Sequence, residues 1–361
     1  MSTPEQVSVI VPFRFSPEQP ERERLLHHVV RECLAPQTYE HCRLVLVESG
    51  AVPTQENFAD RWCSDYLFIQ EKDGSFSLGN VQNLAIALTN PGPLFYLHLP
   101  DFLLPKHAIE SAFYLMNKTE APCVFPNYGA VNLTKPVTEG ICEGKIDWEK
   151  LLSAIADITD SDGFNNSGNL IPLSSNSNRV QLTEEQIRHL DSALPDGYKS
   201  YELINLTDNG LWGGSGDSLF CFYPWTRSSG EDEAIGNFRT GPRVKASYLC
   251  KTDAFIEVGG TTVYRNGWNA EDLWFWERLK TYFDAYSTDN SGIYYEGQKL
   301  SGRHPITHLW HSTPTNIPYY HEAHIAINEF KQFASLSREN KLSLIKPLNL
   351  AQLREEQRHD S

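Results

Sequence analysis

The sequence lacks several features that would each point to a class of function. No apolar run reaches the roughly 20 residues that a transmembrane helix needs. The first residues are polar, without the basic and then apolar pattern of a secretory signal peptide. The net charge is −15 and no basic cluster is present, so neither a nucleic acid nor an anionic membrane is an expected partner. We therefore expect a globular, cytoplasmic protein.

The cysteines form no recognisable pairing pattern. There are seven of them, an odd number, widely scattered and without a C-x-x-C pair. Reduced thiols with structural roles are the simplest interpretation, which agrees with a cytoplasmic location.

What is present is an alternation of short apolar runs and amphipathic helices over about the first 115 residues. This alternation predicts an α/β fold with a doubly wound, mostly parallel sheet flanked by helices, whose ligand binds at the carboxyl ends of the strands. The predicted strands are Val7–Phe13, Arg43–Glu48, Tyr66–Ile69 and Leu94–Leu99, and the clearest helices are Glu21–Leu34 and Leu78–Leu88.

The alternation breaks at residues 135–235. This stretch predicts an α-rich, irregular insertion on the rim of the sheet, where loops carry specificity. Its helices are expected at Ile146–Ile155 and Leu182–Leu194, with a polar Ser/Asn-rich loop between them. The end of the chain, Lys341–Ser361, predicts a charged terminal helix that frays.

Polar side chains follow several of the predicted strands. Pro12 and Arg14 end the first strand, Glu48 ends the second and Asp101 follows the fourth. Parallel strands bring their carboxyl ends to one edge of the sheet, where an arginine can pair with phosphate and an acid can accept from a base or ribose. Asp101 could hold a hard divalent ion there. Ordinary surface positions would explain the same residues.

Two histidines, His308 and His311, stand three residues apart. This spacing lets both imidazoles reach one metal if the segment is helical or tightly turned. Such a pair is often incidental. Combined with Asp101, however, it offers one carboxylate and imidazole nitrogens, which suit Mn²⁺ or a similar ion that also takes diphosphate oxygens.

The segment Val258–Leu279 combines a glycine-led turn, Trp268 and two adjacent acids, Glu271 and Asp272, directly before an amphipathic helix. The exposed N–H groups and dipole of a helix N-terminus keep such acids ionised. A carboxylate placed there can take a proton from an incoming hydroxyl. The alternative is a capped helix start with Trp268 in the core.

In this order, these motifs resemble the GT-A fold glycosyltransferases, a Rossmann-like fold. The carrying features are Pro12–Arg14, Asn83, the strand before Asp101, the Gly267-Trp-x-x-Glu-Asp272 motif and the His308-x-x-His311 motif. The last two are most similar to the C-terminal region that family 2 enzymes share with β-1,4-galactosyltransferases. The resemblance covers residues 1–125 and 240–315.

For the acceptor side, the resemblance implies that Asp272 is the general base and that Glu271 holds the acceptor sugar. Trp268 would stack on a sugar face, with Gly267 and Asn269 beside it as substrate-binding residues.

For the donor side, the resemblance implies that Asp101, His311 and His308 hold Mn²⁺ or Mg²⁺. The nucleotide would be bound by Asp101 together with Pro12, Arg14, Glu48 and Asn83. One departure stands out: Leu99 takes the place of the first acid of the family's metal motif, preceded by His98. Leu78 and Asn80 likewise replace basic residues common in the asparagine motif.

The implied organisation is a nucleotide-sugar-binding half (1–134), the insertion, where acceptor specificity is decided (135–235), a catalytic acceptor and metal-binding half (236–320) and a helical tail (321–361). The implied reaction is an inverting transfer of a hexose from UDP-Gal, UDP-GalNAc or UDP-Glc to a hydroxyl of a glycan, lipid-linked or other acceptor, as in polysaccharide biosynthesis.

Two other functions fit parts of the sequence. The missing first metal-motif acid would suit a weak or inactive domain that binds glycans or nucleotide-sugars. A nucleotidyltransferase would need a basic, glycine-rich phosphate loop near the N-terminus, and the sequence has none.

Overall fold

The computed structural model describes residues 5–71, 77–125, 130–133, 135–160, 170–172, 178–180, 184–196, 198, 220–223, 247–261, 271–289, 292–300, 306–311 and 329–360. Within these ranges, no helix is long and apolar enough to cross a membrane.

Fifteen strands are described, most of them short. They are β1 Val7–Arg14, β2 Cys42–Gly50, β3 Asp65–Gln70, β4 Leu94–His98, β5 Phe102–Leu103, β6 Cys123–Val124, β7 Ala130–Leu133, β8 Leu170–Pro172, β9 Asn178–Val180, β10 Phe220–Tyr223, β11 Ser247–Lys251, β12 Tyr286–Asp289, β13 Gly292–Tyr295, β14 Gln298–Lys299 and β15 Ile306–His308.

The described helices follow the predicted positions in the first third of the chain. They are α1 Glu21–His28, α2 Glu56–Trp62, α3 Leu78–Thr89, α4 Ala108–Thr119, α5 Lys135–Cys142, α6 Trp148–Asp160, α7 Glu184–Ser192, α8 Thr252–Glu257, α9 Glu271–Tyr282, α10 Arg338–Leu344 and α11 Leu350–Asp360. Helix α1 continues into a π-helical segment, Val29–Leu34, and residues 329–335 are also helical.

The main sheet confirms the predicted α/β class. Its strand order is β3-β2-β1-β4-β11-β6, with β1 to β4 parallel and β11 antiparallel to both of its neighbours. Strands β1 and β2 are almost wholly buried, as expected of parallel strands covered on both faces. The first four strands therefore end at a common edge, which carries the residues predicted for ligand binding.

A second sheet has the strand order β10-β7-β15-β5. Strand β15 runs parallel to β7 and antiparallel to β5. Strand β10 and helix α5 come from the stretch predicted to be an insertion, so this stretch contributes strands and a helix to the same fold.

The end of the chain packs against the first half. The Arg354 Nε donates to the Ala87 carbonyl oxygen near the end of α3 at 2.6 Å. The Leu348 backbone N–H donates to the Ile256 carbonyl oxygen in α8 at 2.8 Å. In place of the one charged terminal helix expected over Lys341–Ser361, the structure has two, α10 and α11, and α11 is joined to α3 through Arg354.

Six cysteines have described side chains, all of them free thiols: Cys33, Cys42, Cys63, Cys123, Cys142 and Cys250. Burial raises the pKa of the Cys33 thiol to about 12, so it stays protonated at neutral pH. This agrees with a structural role for that residue.

Candidate functional site

Strand pairing brings Asp101 next to the histidine motif. Asp101 follows β4 and directly precedes β5, and β5 pairs with β15 so that Phe102 lies opposite His308. The Leu309 backbone N–H donates to the Asp101 carbonyl oxygen at 2.8 Å. Two segments that are distant in the sequence are thus fixed side by side by backbone hydrogen bonds.

The Asp101 carboxylate faces both imidazoles. Its Oδ2 lies 3.3 Å from the Nε2 of His311 and 3.8 Å from the Nε2 of His308. One ligand atom from each of the three residues lies within 4.8 Å of the others. The two rings stand edge to face, with centroids 5.1 Å apart. The segment is not helical: His308 ends β15 and His311 lies in the irregular backbone that follows, so the convergence does not come from helical spacing.

A third side chain, Arg22 of α1, reaches the same oxygen. Its Nη2 lies 3.3 Å from Oδ2 of Asp101. Burial alone would raise the pKa of Asp101, but contacts with His308 and His311 and the charge of Arg22 outweigh it and hold that pKa well below its usual range. Burial lowers the pKa of His308, which favours its neutral, metal-binding form.

The Asp101, His308 and His311 cluster fits a divalent cation. Ligand atoms about 2.1 Å from an ion lie roughly 3 to 4 Å from one another in octahedral geometry, close to the spacing found here. In addition, the Oδ1 of Asp101 is buried and has no hydrogen-bond partner among the described residues. A buried carboxylate oxygen needs a partner, and a cation would supply one.

His311 is oriented from its other side. The amide Nε2 of Gln19 lies 3.4 Å from its Nδ1. Nδ1 therefore faces the Gln19 amide while Nε2 faces Asp101, so Nε2 is the nitrogen that would meet an ion at this carboxylate. Next along the chain, the Trp310 backbone N–H donates to the Thr138 Oγ1 at 2.8 Å, and Lys135 lies over the Trp310 ring. Helix α5 therefore supports the histidine segment.

His98 closes the turn that presents Asp101. Its Nε2 lies 3.0 Å from the Phe102 carbonyl oxygen, and its Nδ1 lies 3.1 Å from the Ser247 Oγ. The carbonyl can only accept, so Nε2 carries the proton and Nδ1 accepts from the hydroxyl. Burial lowers the pKa of His98 to about 4. His98 is thus a neutral side chain that joins β4, β5 and β11. Both of its ring nitrogens have protein partners, so it is not a metal ligand here.

Arg14 is engaged in a two-point ion pair at the end of β1. Its Nε and Nη2 donate to both carboxylate oxygens of Glu71 at distances of 2.9 to 3.1 Å. The Ser49 hydroxyl donates to the same carboxylate at 2.7 Å. Pro12 lies two residues earlier, buried opposite Val47. The ends of β1, β2 and β3 are therefore tied together by one acid.

Glu48 is buried and holds a loop. Its carboxylate accepts from the backbone N–H groups of Thr54 and Gln55 at 3.0 Å, and from the hydroxyls of Thr54 and Tyr66. The charge stands directly before α2, where the helix dipole favours an anion. This carboxylate fixes the loop between β2 and α2.

Asn83 joins α3 to the glycine turn after α8. Its Nδ2 donates to the Thr261 carbonyl oxygen at 2.7 Å, and its Oδ1 accepts from the Thr261 backbone N–H at 2.9 Å. The turn itself needs glycines, since Gly259 and Gly260 have φ values of +81° and +61°. A Cβ on Gly260 would collide with the Asn83 Oδ1.

The predicted acceptor residues are described only in part. Glu271 and Asp272 are the first two residues of α9, and Glu271 is buried. Gly267, Trp268 and Asn269 lie outside the described residues. Among the described site residues, the structure brings Asp101, His308 and His311 together.

The structure adds three residues to the candidate site that the sequence patterns did not indicate: Gln19, Arg22 and Glu71. Glu71 directly follows β3, so the rule that selected Arg14 and Glu48 at strand ends could have selected it as well. Gln19 and Arg22 belong to the connection after β1 and the start of α1, and no spacing in the sequence links them to His311 and Asp101.

Comparisons with known proteins give structural matches only. No protein-family model matches the chain, and no curated protein matches it either. The crystal structure of S. aureus TarS is 17% identical over 35% of this chain and 22% of that chain, with a TM-score of 0.27. S. aureus TarS 1-349 is 11% identical over 93% and 68%, with a TM-score of 0.40.

A third match is the mannosyltransferase PcManGT from Pyrobaculum calidifontis in complex with GDP-Man and Mn²⁺. It is 18% identical over 35% of this chain and 36% of that chain, with a TM-score of 0.27. The aligned part thus spans about a third or less of TarS and of this mannosyltransferase.

Proposed function

We propose that this chain is a glycosyltransferase that moves a sugar from a nucleotide-sugar to a hydroxyl acceptor with inversion at the anomeric carbon. The observation that carries the proposal is the convergence of Asp101, His308 and His311 at the carboxyl edge of an α/β sheet. This is the edge where such sheets bind ligands, and the motif order is similar to that of GT-A fold glycosyltransferases.

In the donor half, Asp101, His308 and His311 would hold Mn²⁺ or Mg²⁺. When bound, this ion supplies positive charge that stabilises the departing diphosphate. Pro12 and Arg14 would shape the donor site from the end of β1, where Glu71 holds the Arg14 guanidinium. Glu48 and Asn83 act through the loop and the turn that they hold, since their polar atoms already have protein partners.

In the acceptor half, Asp272 is the general base and Glu271 binds the acceptor sugar. The start of α9 suits both roles, because the free N–H groups of a helix N-terminus keep a carboxylate ionised and able to accept a proton. Trp268 stacks on the acceptor sugar, with Gly267 and Asn269 at its side.

The reaction is one displacement. The acceptor oxygen forms a bond to the anomeric carbon while its proton passes to the Asp272 carboxylate. The bond between that carbon and the diphosphate oxygen breaks, and the diphosphate leaves with the electron pair. Because attack and departure occur on opposite faces, the configuration inverts. Alignment of the hydroxyl, the carbon and the base supplies much of the rate.

A second candidate function is a binding module for nucleotide-sugars or glycans with little or no turnover. The observation in its favour is that Asp101 is the one carboxylate of the described cluster, with Leu99 in place of a second acid. A site with a single acid binds a divalent ion less firmly than one with two.

A donor panel tests the proposal. UDP-Gal, UDP-GalNAc and UDP-Glc are incubated with the protein, with and without Mn²⁺, in the presence of saccharide acceptors, and UDP release is measured. We expect release with one of these donors, stimulated by acceptor and lost in Asp272→Asn. Binding of a donor by thermal shift without any release would favour the binding module. If the protein shows neither donor binding nor UDP release, both functions are refuted.

A further inference from the structure

Two arginines lie near the carboxyl edge of the main sheet, and their guanidinium groups are engaged to different degrees. Arg14 forms a two-point pair with both oxygens of Glu71. Arg22 makes a single 3.3 Å contact with the Asp101 Oδ2, and its Nε has no hydrogen-bond partner among the described residues. An arginine fork is strongest when it is used at two points, so the Arg22 fork is incompletely used.

Arg22 is also accessible where Asp101 is not. Its side chain is 27% exposed, whereas that of Asp101 is 7% exposed. Arg22 therefore contacts a buried acid while part of its own side chain stays exposed. An anionic ligand that reaches this exposed part could pair with the guanidinium.

The charges of the cluster place Arg22 in competition with a cation. The carboxylate of Asp101 is shared by Arg22, His308 and His311. A divalent cation on Asp101 would meet one anionic ligand and a guanidinium at the same oxygen, which opposes tight binding. A diphosphate bound at this edge could pair with the Arg22 guanidinium even when no metal ion is bound.

We propose that Arg22 binds the donor diphosphate and competes with a divalent cation for Asp101. This inference rests on the proposed function, and it moves the phosphate-binding role from Arg14 to Arg22. Its consequence is a site in which donor binding tolerates removal of the metal, because part of the positive charge belongs to the protein.

Calorimetric titrations with UDP, uridine and Mn²⁺ alone test the inference. The variants are Arg22→Gln, Arg22→Lys and the matched control Arg24→Gln, which changes an exposed arginine two positions along α1. For Arg22→Gln we expect UDP in EDTA to bind about tenfold more weakly and Mn²⁺ alone about tenfold more tightly. Uridine should bind unchanged, and Arg24→Gln should match the wild type. Arg22→Lys keeps the charge but loses the fork, so its UDP affinity should lie between those of Arg22→Gln and the wild type.

The opposite changes for UDP and Mn²⁺ separate this role from a structural one. A misfolded or loosened variant would weaken uridine, UDP and Mn²⁺ together, and that result would overturn the inference. Unchanged UDP binding in Arg22→Gln would overturn it while leaving the proposed function intact. If the wild type binds UDP neither with Mn²⁺ nor in EDTA, the proposed function fails together with the inference.

Discussion

Asn83 and Thr261 hold each other through a reciprocal pair of hydrogen bonds across 178 residues of sequence. The amide of Asn83 satisfies both the N–H and the carbonyl of one backbone unit, which is the arrangement that a strand neighbour would provide. Through it, α3 fixes the turn that leads out of α8. The segment that enters α9 and its two acids therefore starts from a defined anchor.

This anchor predicts unequal costs for two glycine substitutions. Gly260→Ala and Gly297→Ala both force alanine into positive φ, at about 1–2 kcal/mol. A Cβ at Gly297 meets open space, whereas at Gly260 it meets the Asn83 Oδ1, which adds roughly 1–3 kcal/mol. Urea unfolding monitored by tryptophan fluorescence should show the larger loss for Gly260→Ala. Equal losses would contradict the described packing of this turn.

The buried His98 predicts a stability that falls in acid. Its pKa in the folded protein is about 4, below the 6.5 of a free imidazole. Between these values the unfolded chain binds a proton that the folded chain excludes, so stability is complete above about pH 6.5 and falls as pH drops toward 4, by about 3 kcal/mol in all.

The matched variant for this effect is His98→Gln, whose amide can donate to the Phe102 carbonyl and accept from Ser247 without titrating. Urea unfolding of both proteins at about pH 7 and about pH 5 gives, for each protein, the change in the free energy of unfolding between the two pH values. We expect the wild type to lose more stability than His98→Gln. The same pH dependence in both proteins would assign the acid sensitivity to other groups.

His311→Ala should weaken Mn²⁺-dependent UDP binding by at least about tenfold, because it removes one of three converging ligand atoms. Calorimetry with Mn²⁺ present measures the affinity. His189→Ala is the control, since His189 is an exposed histidine paired with Asp157 on the neighbouring helix. An unchanged metal titration in His311→Ala would remove this residue from the proposed metal site.

Asp272→Asn should lower kcat by at least about 100-fold, the usual contribution of a general base, with UDP affinity almost unchanged. Asp253→Asn serves as the control, because Asp253 is also an acid in the first turn of a helix, at an exposed position on α8. Steady-state rates and UDP titrations are compared for the two variants. Preserved turnover in Asp272→Asn would refute the assignment of the base.

The parts of the fold that depend on local patterns could be predicted from the sequence. The apolar runs of β1, β2 and β4 and the periodicity of α1 and α3 carry their own signals. The structure has the three strands and α3 within one or two residues of the expected bounds, whereas α1 ends at His28 and the rest of its predicted length is the π-helical segment Val29–Leu34. The position of Asp101 after β4 follows from the same reasoning.

The parts that depend on pairing between distant segments could not be predicted. Nothing local shows that β11 enters the main sheet beside β4, or that the two-residue strand β5 pairs with β15. The spacing of His308 and His311 suggested a helix or a turn, and the structure has a strand followed by irregular backbone. Arg22 and Gln19 meet this cluster only because α1 packs beside it.

Residues near the C-terminal end of the described chain contact both α3 and the turn after α8, the two elements that Asn83 and Thr261 join. Arg354 binds the end of α3, and the Lys346 carbonyl oxygen closely covers Gly259. Removing the chain from α10 onward would remove both contacts. A protein truncated there should therefore lose stability and turnover together, because the turn that leads toward α9 loses support from both sides.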